Sequence, residues 1–463
     1  MVRVRLAPSP TGMMHIGTAR AALFVWIFAK QNNGKFILRI EDTDKERSKK
    51  EYEDSITTGL KKLGLEWDEF YRQSERTEIY KKYLKTLVEE GKAYPCFCSK
   101  EDIDKERKQA EKEKKAYIYS GKCSNLSKEI VAQKIEAGED YVIRFRMPKE
   151  KINFNDMVRG DISYDASLIG DIVIAKSYDE PLYNFVVVID DALMEISHII
   201  RGEDHISNTP KQIAILRSLG FKEPIYAHLP LILNKDRSKM SKRGGDVALV
   251  DFLEKGYLPE AIINFLALLS WHPKDNQEIF SINDLISEFS MDRVQKGGSI
   301  FDYEKLDWIN KKYISEIIPL KELVKRGQSF IKQEWKLTPE IMSAVRERLV
   351  NLADLEESVS FFFTEPDYSA DSLFWKGKKG NTKNNLLSII DIISDIEEEK
   401  FNKENIEKAV MAIIPKDKKG EYLWPLRFSL SGKKNSPGPF EIMEGLGKEK
   451  SIFRINKAID KIS

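Results

Sequence analysis

Residues 2–40, VRVRLAPSPTGMMHIGTARAALFVWIFAKQNNGKFILRI, decide the fold of this chain. The alternation in VRVRLA predicts a strand, the largely apolar run ARAALFVWIFAKQ predicts a helix that ends at Gly34, and KFILRI predicts a second short strand. Two buried strands flanking one helix form the βαβ unit of a parallel sheet. In such sheets, ligands bind beyond the carboxyl ends of the strands.

Length and charge limit the class of protein. A chain of 463 residues is too long for one ordinary core, so we expect two to four domains. The 75 basic and 74 acidic residues nearly cancel, which restricts any phosphate-binding role to local basic patches. The N-terminus lacks the apolar segment of a secretory signal, and no apolar run is long enough to span a bilayer. We therefore expect a cytoplasmic protein that does not bind membranes.

The periodicity predicts an α/β fold with several sections. Residues 1–91 and 182–235 have the pattern of two halves of a Rossmann-type parallel-sheet domain. A densely charged run and short strands over residues 92–181 predict an α+β insertion between them. Residues 236–315 contain a basic loop and a connecting region. Helical periods dominate residues 316–463 and predict a mainly α-helical C-terminal domain.

His15 and Gly17 lie at the predicted start of the first helix. A helix start presents free amide groups and a positive dipole end, and an imidazole there can donate a hydrogen bond to a phosphate oxygen. Glycine at position 17 would let a flat ring approach the backbone. The alternative is that His15 only caps the helix and Gly17 only eases a turn, and for an isolated short motif this alternative is favoured.

Residues 235–245, KDRSKMSKRGG, form the second candidate feature. Five basic groups alternate with small residues and precede two glycines, a composition typical of a cationic loop. Such a loop is suited to covering a triphosphate and stabilising the charge of a pyrophosphate leaving group. Taken alone, the segment is better interpreted as a solvated surface loop.

HIGT at residues 15–18 together with KMSKR at residues 239–243 resembles the paired motifs of class I aminoacyl-tRNA synthetases. Five further stretches narrow the resemblance to the bacterial-type glutamyl-tRNA synthetase family: RLAPSPTGMMHIGTAR, FILRIEDTDKERS, PLYNFVVVIDDALMEISHIIRGEDHISNTPKQ, HLPLILNKDRSKMSKRGG and IFDYEKLDWIN. The resemblance implies ATP-dependent attachment of L-glutamate to tRNA(Glu) through glutamyl-adenylate, with Mg²⁺ accompanying ATP. It also implies acceptor binding by residues 92–181, stem contacts by residues 236–315 and anticodon binding by residues 316–463.

The resemblance also implies roles for individual residues. The catalytic group would be His15, Lys239 and Lys242, and the ATP-binding group would be His15, Gly17, Lys239, Ser241, Lys242 and Arg243. The glutamate-binding group would be Arg5, Ala7, Ser9, Glu41, Tyr183 and Arg201. Two arginines and one acid suit a ligand with two carboxylates and one ammonium group.

Some of these residues have structural alternatives. Glu41 and Asp42 precede Thr43 and Glu46, which are spaced as a capping box for the next helix. Tyr183 could be a core aromatic. Arg201 is harder to explain structurally, because it ends the apolar run MEISHII and would be a costly charge there without a partner.

Three cysteines lie close together in the predicted insertion. Cys96, Cys98 and Cys123 are too few for a disulfide framework, and their spacing resembles a zinc knuckle found in some family members. Asn125 stands where complete sites often have a histidine or an acid, which leaves Tyr119 or water as the fourth ligand. The alternative is that the cysteines remain from a lost site.

The helical C-terminus suits anticodon reading, because single-stranded bases are recognised by stacking and edge hydrogen bonds. Arg348 falls at the place where some bacterial members carry an arginine that helps to tell tRNA(Glu) from tRNA(Gln). The alternative is a solvated arginine on a helix face. The sequence leaves open whether tRNA(Gln) is also charged, and the family resemblance favours a monomer.

Three other functions fit less of the chain. A shortened paralogue that glutamylates a base of tRNA(Asp) would lack the helical C-terminus. A non-catalytic RNA-binding descendant should have lost His15 or Lys242, and both are present. A small nucleotidyltransferase would lack the glutamate-pocket stretches.

Overall fold

The computed structural model describes residues 1–240 and 248–462. These residues form two compact units. The first comprises Met1–Asp251 and Ile263–Asp302, and the second comprises Phe252–Ile262 and Tyr303–Ser463. Within the described residues, no helix combines the length and the apolar character needed to cross a membrane.

The strands lie in the first unit. In chain order they are β1 Arg3–Leu6, β2 Lys35–Ile40, β3 Glu69–Arg72, β4 Ala93–Cys96, β5 Val142–Phe145, β6 Lys151–Asp156, β7 Gly160–Asp165, β8 Ile172–Ser177, β9 Glu180–Pro181, β10 His198–Gly202, β11 Ile225–Leu229, β12 Ile232–Leu233 and β13 Ser299–Ile300. The main sheet has seven strands in the order β3-β2-β1-β10-β11-β6-β7, parallel except for β7. This confirms the predicted Rossmann-type parallel sheet.

Seven α-helices lie within residues 1–240. They are α1 Ile16–Gln31, α2 Lys50–Lys62, α3 Thr77–Glu89, α4 Lys100–Lys112, α5 Lys128–Glu136, α6 Tyr183–Leu193 and α7 Thr209–Ser218. Next come α8 Leu249–Glu254, α9 Pro259–Leu268 and α10 Ile282–Glu288, of which α8 and α9 span the positions where the chain passes between the units. A large apolar cluster joins strands of the main sheet to α3, α6 and α7.

The second unit is helical from Tyr303 onward. Its helices are α11 Tyr303–Lys312, α12 Leu320–Gly327, α13 Pro339–Val345, α14 Leu355–Phe363, α15 Thr382–Ser394, α16 Lys403–Ile413, α17 Lys419–Ser431, α18 Pro439–Leu446 and α19 Lys448–Ile462. Residues 303–462 contain no strand. The prediction of a mainly α-helical C-terminal domain is therefore confirmed.

The predicted insertion, residues 92–181, contributes to two sheets. Strands β4, β5, β8 and β9 form a separate antiparallel sheet. The β6–β7 hairpin instead extends the main sheet, where Asp156 pairs with Tyr226 of β11. The insertion is thus joined to the catalytic sheet by backbone pairing, and its predicted boundaries remain a prediction.

The opening βαβ unit forms with β1 and β2 in parallel register, Arg5 opposite Ile37. Helix α1 ends at Gln31, three residues before Gly34, the predicted stop. Asn33 takes the left-handed backbone conformation with φ +47°, whereas Gly34 has an ordinary φ. A Cβ on Gly34 would lie 2.4 Å from the carbonyl oxygen of Val2, so glycine is needed there for close approach to β1.

Candidate active site

A cavity of about 580 Å³ lies beyond the carboxyl ends of β1, β2 and β10. The structure brings together in its lining every predicted site residue of the first unit that it describes, apart from the cysteine group: Arg5, Ala7, Ser9, His15, Gly17, Glu41, Tyr183, Arg201 and Lys239. Ser241, Lys242 and Arg243 lie outside the described residues. The position agrees with the rule that ligands bind at this edge of a parallel sheet.

His15 is the residue that caps α1. Its Nδ1 accepts a hydrogen bond from the backbone N–H of Gly17 at 2.9 Å. Because Nδ1 acts as an acceptor, the proton of the neutral ring belongs on Nε2. A Cβ on Gly17 would lie 3.2 Å from His15 Nδ1, so glycine allows the imidazole to sit this close to the backbone. The capping and phosphate-donor interpretations are therefore compatible, since they use different ring nitrogens.

Arg5 and Arg39 share one buried carboxylate, Asp191. Arg5 donates to it through Nε at 3.1 Å and Nη2 at 3.2 Å, and Arg39 donates through Nη1 at 2.7 Å. Arg39 also donates through Nη2 to Glu41 at 3.0 Å. Burial opposes ionisation of Asp191, but the two guanidinium groups hold its pKa below the usual range. At Glu41 burial prevails over the arginines, and the pKa is raised.

A further carboxylate, Asp190, lies behind this group. It accepts hydrogen bonds from Gln73 Nε2 at 3.0 Å, Arg76 Nε at 2.7 Å and the Tyr80 hydroxyl at 2.8 Å. Its Oδ2 is also 3.7 Å from Arg39 Nε. Within this cluster the charges balance, three arginines against three acids: Arg5, Arg39 and Arg76 against Glu41, Asp190 and Asp191.

Arg201 has a different environment, although it lines the same cavity and is only 7% exposed. Its Nε donates to His228 Nε2 at 3.2 Å and its Nη2 donates to Thr209 Oγ1 at 2.8 Å. Both acceptors are uncharged. Nη1 is buried without a hydrogen-bond partner among the described residues. Burial lowers the pKa of Arg201, and the described residues put no carboxylate in contact with it.

Tyr183 is the first residue of α6, and its hydroxyl lies 3.0 Å from His205 Nδ1. His205 also lines the cavity. Burial, followed by the charge of Arg201, lowers the pKa of His205 to about 4, so the ring is neutral near pH 7. The contact with His205 indicates that Tyr183 serves the cavity and is more than a core aromatic.

Arg20 and Lys239 also line the cavity, together with His15. Arg20 donates to the carbonyl oxygen of Pro230 and to Ser270 Oγ. Burial lowers the pKa of Arg20 to about 10. Lys239 is largely exposed and lies 3.4 Å from Asp204 Oδ2. Arg20 therefore fixes the backbone that leads into the basic loop, while Lys239 projects from it.

The capping box predicted at Thr43 and Glu46, just after Glu41 and Asp42, does not form. Helix α2 begins at Lys50, and its cap residue Lys49 makes no side-chain capping hydrogen bond. Asp42 instead accepts hydrogen bonds from the backbone N–H and the hydroxyl of Ser74, at 2.9 and 2.6 Å. Glu41 therefore has no capping role, and it lines the cavity.

Comparison with known proteins agrees with this geometry. The family described as "tRNA synthetases class I (E and Q), catalytic domain" matches residues 1–308, and "Anticodon binding domain" matches residues 304–459. The chain belongs to the class I tRNA synthetases of the glutamate and glutamine group. The family resemblance seen in the motifs is confirmed. The match to an anticodon-binding domain argues against the shortened paralogue, which would have only the catalytic half.

The curated relatives of this synthetase include glutamate–tRNA ligase 2 of Thermoanaerobacter pseudethanolicus, 45% identical over 100% of this chain and 98% of the relative. The glutamate–tRNA ligase of Aquifex aeolicus is 42% identical over 100% and 99%. Among solved structures, a glutamate tRNA ligase from Elizabethkingia meningosepticum in complex with its amino acid is similar, with a TM-score of 0.89, 33% identity and full coverage of both chains.

The synthetase brings its three cysteines together as predicted. The Sγ atoms of Cys96, Cys98 and Cys123 lie within 4.8 Å of one another. The Tyr119 hydroxyl is 3.3 Å from both Cys96 Sγ and Cys98 Sγ, and Arg144 Nε donates to Cys96 Sγ at 3.3 Å. Sulfurs bound to one tetrahedral zinc lie about 3.8 Å apart, and Cys98 and Cys123 are 3.6 Å apart. The three sulfur atoms are close enough to hold one metal ion.

Arg346 and Arg348 of the synthetase separate in role. Arg346 donates through Nε and Nη2 to the carbonyl oxygen of Ile314, at 3.1 and 2.8 Å, and so has a structural task. Arg348 is exposed and close enough to Arg427 to lower its pKa further, after burial. Arg427 lies over the Trp424 ring at 5.1 Å. Trp424 is half-buried, and its indole N–H donates to the carbonyl oxygen of Ser372 at 2.9 Å.

Sequence reasoning missed Arg39, Asp190, Asp191, His205 and His228. Three of them gave a usable signal. Arg39 interrupts the apolar run FILRI, and the two aspartates follow VVVI, positions at which an unpaired charge would be costly.

Proposed function

We propose that this synthetase attaches L-glutamate to tRNA(Glu) through glutamyl-adenylate, releasing pyrophosphate and AMP. The observation that carries the proposal is the environment of Arg201, a buried cation that lines the cavity and contacts only neutral acceptors. Such a group requires an anion from outside the protein, because an isolated buried charge is costly.

The charges of the cavity suit glutamate better than glutamine. Free glutamate carries two carboxylates and one ammonium group, a net charge of −1. Its side-chain carboxylate suits Arg201 and the Tyr183 hydroxyl, and its ammonium group suits Glu41. Arg5 would share the carboxylate while remaining bonded to Asp191. Glutamine would leave Arg201 buried without an anion, which supports strong discrimination against the amide.

The proposed reaction needs no protein nucleophile. An oxygen of the glutamate α-carboxylate attacks the α-phosphorus of ATP in line, and pyrophosphate leaves. His15 Nε2–H and the first amides of α1 donate to phosphate oxygens. Lys239 and Lys242 stabilise the charge on the leaving pyrophosphate. Mg²⁺ bound to ATP would offset further phosphate charge.

The second step joins the amino acid to tRNA. A hydroxyl of the terminal adenosine attacks the activated carbonyl carbon, and AMP leaves with the carboxylate-derived oxygen bonded to phosphorus. Ala7 and Ser9 follow β1 and line the cavity where the adenylate would lie. Catalysis then consists of positioning and electrostatic stabilisation.

Three finer statements belong to the proposal. The cysteine group would hold one structural zinc through Cys96, Cys98, Cys123 and Tyr119. Arg348, beside Arg427, would contact the anticodon and discriminate tRNA(Glu) from tRNA(Gln). The synthetase would act as a cytoplasmic monomer. Metal analysis of the purified protein, with the Cys98→Ser variant as the control, tests the zinc assignment.

The decisive experiment is aminoacylation of purified tRNA(Glu) and tRNA(Gln) with labelled glutamate and labelled glutamine. We expect charging of tRNA(Glu) by glutamate and no charging of either tRNA by glutamine. Charging of tRNA(Gln) by glutamate would identify a non-discriminating enzyme. Failure of glutamate to charge either tRNA would refute the proposal.

A further inference from the structure

A buried chain of hydrogen bonds lies behind Arg201. Asp156, at the end of β6, accepts from His228 Nδ1 at 2.6 Å, and His228 Nε2 accepts from Arg201 Nε at 3.2 Å. The three side chains are 1%, 0% and 7% exposed. The chain therefore runs from the inserted hairpin through β11 to the cavity-lining arginine.

The hydrogen bonds fix the proton of His228. Because Nε2 accepts from Arg201, the ring proton must lie on Nδ1, where it is donated to Asp156. Asp156 also accepts from the backbone N–H groups of His228, Val158 and Arg159, at 2.9–3.2 Å. A carboxylate held by so many donors cannot rotate without losing them. His228 is thus locked as a neutral ring in one tautomer.

The fixed position of the His228 ring limits the orientations that the Arg201 guanidinium group can adopt. A guanidinium group has five N–H bonds in one plane. The Nε–H points to His228 and one Nη2–H points to Thr209. Fixing these two directions fixes the plane and the outward direction of the remaining three N–H bonds.

We propose that His228 is a positioning residue that aims Arg201 at the substrate carboxylate, with Asp156 fixing the ring. The neutrality of His228 matters for this role, because a carboxylate in its place would offset the positive charge of Arg201 that binds the substrate carboxylate. The Asp156 carboxylate is separated from Arg201 by the His228 ring and acts on Arg201 only through that ring. This inference rests on the proposed function and assigns a specificity role to residues that do not touch substrate.

A matched pair of variants separates positioning from general support. In His228→Gln the side-chain oxygen can occupy roughly the position of Nε2 and still accept from Arg201. In His228→Asn the shorter side chain cannot reach Arg201 but keeps a polar group toward Asp156. We expect His228→Asn to raise the KM for glutamate about tenfold or more, as for loss of a hydrogen bond to a charged group. His228→Gln should raise it less than about threefold, and the KM for ATP should stay within about twofold in both.

Thr209 provides a second test, which does not depend on the folding of the His228 variants. Thr209→Val removes the acceptor of Arg201 Nη2 with almost no change of shape, and Thr209→Ser retains it. We expect a severalfold rise in the KM for glutamate in Thr209→Val alone. Equal glutamate KM values in the Gln and Asn variants, or an unchanged KM in Thr209→Val, would overturn the positioning role.

Calorimetric binding of L-glutamate separates this inference from the proposed function. If wild-type protein binds glutamate but charges no tRNA, the proposed function fails, and the Kd values of the same variants still test the positioning role. If wild-type protein charges tRNA(Glu) while all variants bind glutamate equally, only the positioning role fails. Absence of glutamate binding to the wild-type protein would overturn both.

Discussion

Arg5 and Arg201 are two buried arginines that line one cavity, and their surroundings differ in charge. Arg5 is bonded twice to Asp191, whereas Arg201 is bonded to an imidazole and a hydroxyl. The sequence predicts the same role for both, as partners of the glutamate carboxylate. The structure indicates a division: Arg5 belongs to a balanced cluster that holds the cavity together, and Arg201 supplies the net charge that selects the ligand.

Removing the charge of Arg201 should have the largest effect on activity. We expect Arg201→Met to lower kcat/KM for glutamate by about 10² to 10³-fold, because the substrate carboxylate loses its main cation. Stability should be unchanged or higher, since a desolvated cation without an acidic partner is removed. Thr209 Oγ1, 3.0 Å from His228 Nε2, can then donate to the ring. Pyrophosphate exchange and thermal unfolding measure the two effects, and a large loss of stability would break the comparison.

Removing the charge of Arg5 should reduce both activity and stability. In Arg5→Met, Asp191 keeps only Arg39, and we expect a loss of about 3 kcal/mol in the free energy of unfolding together with about 10²-fold in kcat/KM. The double variant Arg5→Met with Asp191→Leu should regain stability but not activity. Urea unfolding tests this, and unfolding of Arg5→Met at the wild-type midpoint would contradict the structural role.

The His15 side of the cavity offers a contrast in which stability should not change. Asparagine is a good helix cap, and its oxygen can replace Nδ1 as the acceptor for Gly17 N–H. We expect His15→Asn to lower kcat about tenfold to a hundredfold through loss of Nε2–H, with an unchanged unfolding midpoint. His15→Ala is the control that loses cap and donor together. Full kcat in His15→Asn would argue that the residue only caps α1.

The smallest expected effect is a pH dependence set by Glu41. Burial raises its pKa, and the substrate ammonium group needs the ionised form, so the KM for glutamate should rise as the pH falls, at pH values above those at which an ordinary glutamate titrates. The side chain of free glutamate stays ionised in this range. Arg39 remains charged, and His205, with a pKa of about 4, remains neutral. Glu41→Gln should show a higher KM at pH 8 and a flatter profile.

Local patterns predicted the parts of the fold that depend on neighbours in sequence. The strand, helix and strand of residues 2–40 form as predicted, and the structure brings the motif residues that it describes into one cavity. The partners of those residues could not be predicted, because they depend on strand order. Asp191 lies on α6, 186 residues after Arg5 in the sequence. The two side chains meet only because the chain folds β10 and α6 next to β1.

The hairpin β6–β7 illustrates the same limit. Buried and exposed positions alternate along β6, and partly buried and exposed positions alternate along β7, as in an antiparallel hairpin with one covered face. Alternation does not specify which sheet the hairpin joins. The hairpin joins the main sheet through a single parallel pairing of Asp156 with Tyr226, and no local sequence pattern predicts this pairing.

The place of β1 in the middle of the main sheet has a consequence for synthesis. Its partner β2 emerges soon after it, but its other partner, β10, is reached only when His198 has been added opposite Val4. At about 5–20 residues per second, roughly 190 residues take about 10–40 seconds. During that interval β1, with the sequence RVRL, has one unpaired edge, and an unpaired strand edge can pair with other chains. Synthesis is therefore a stage at which this edge is open to pairing with other chains.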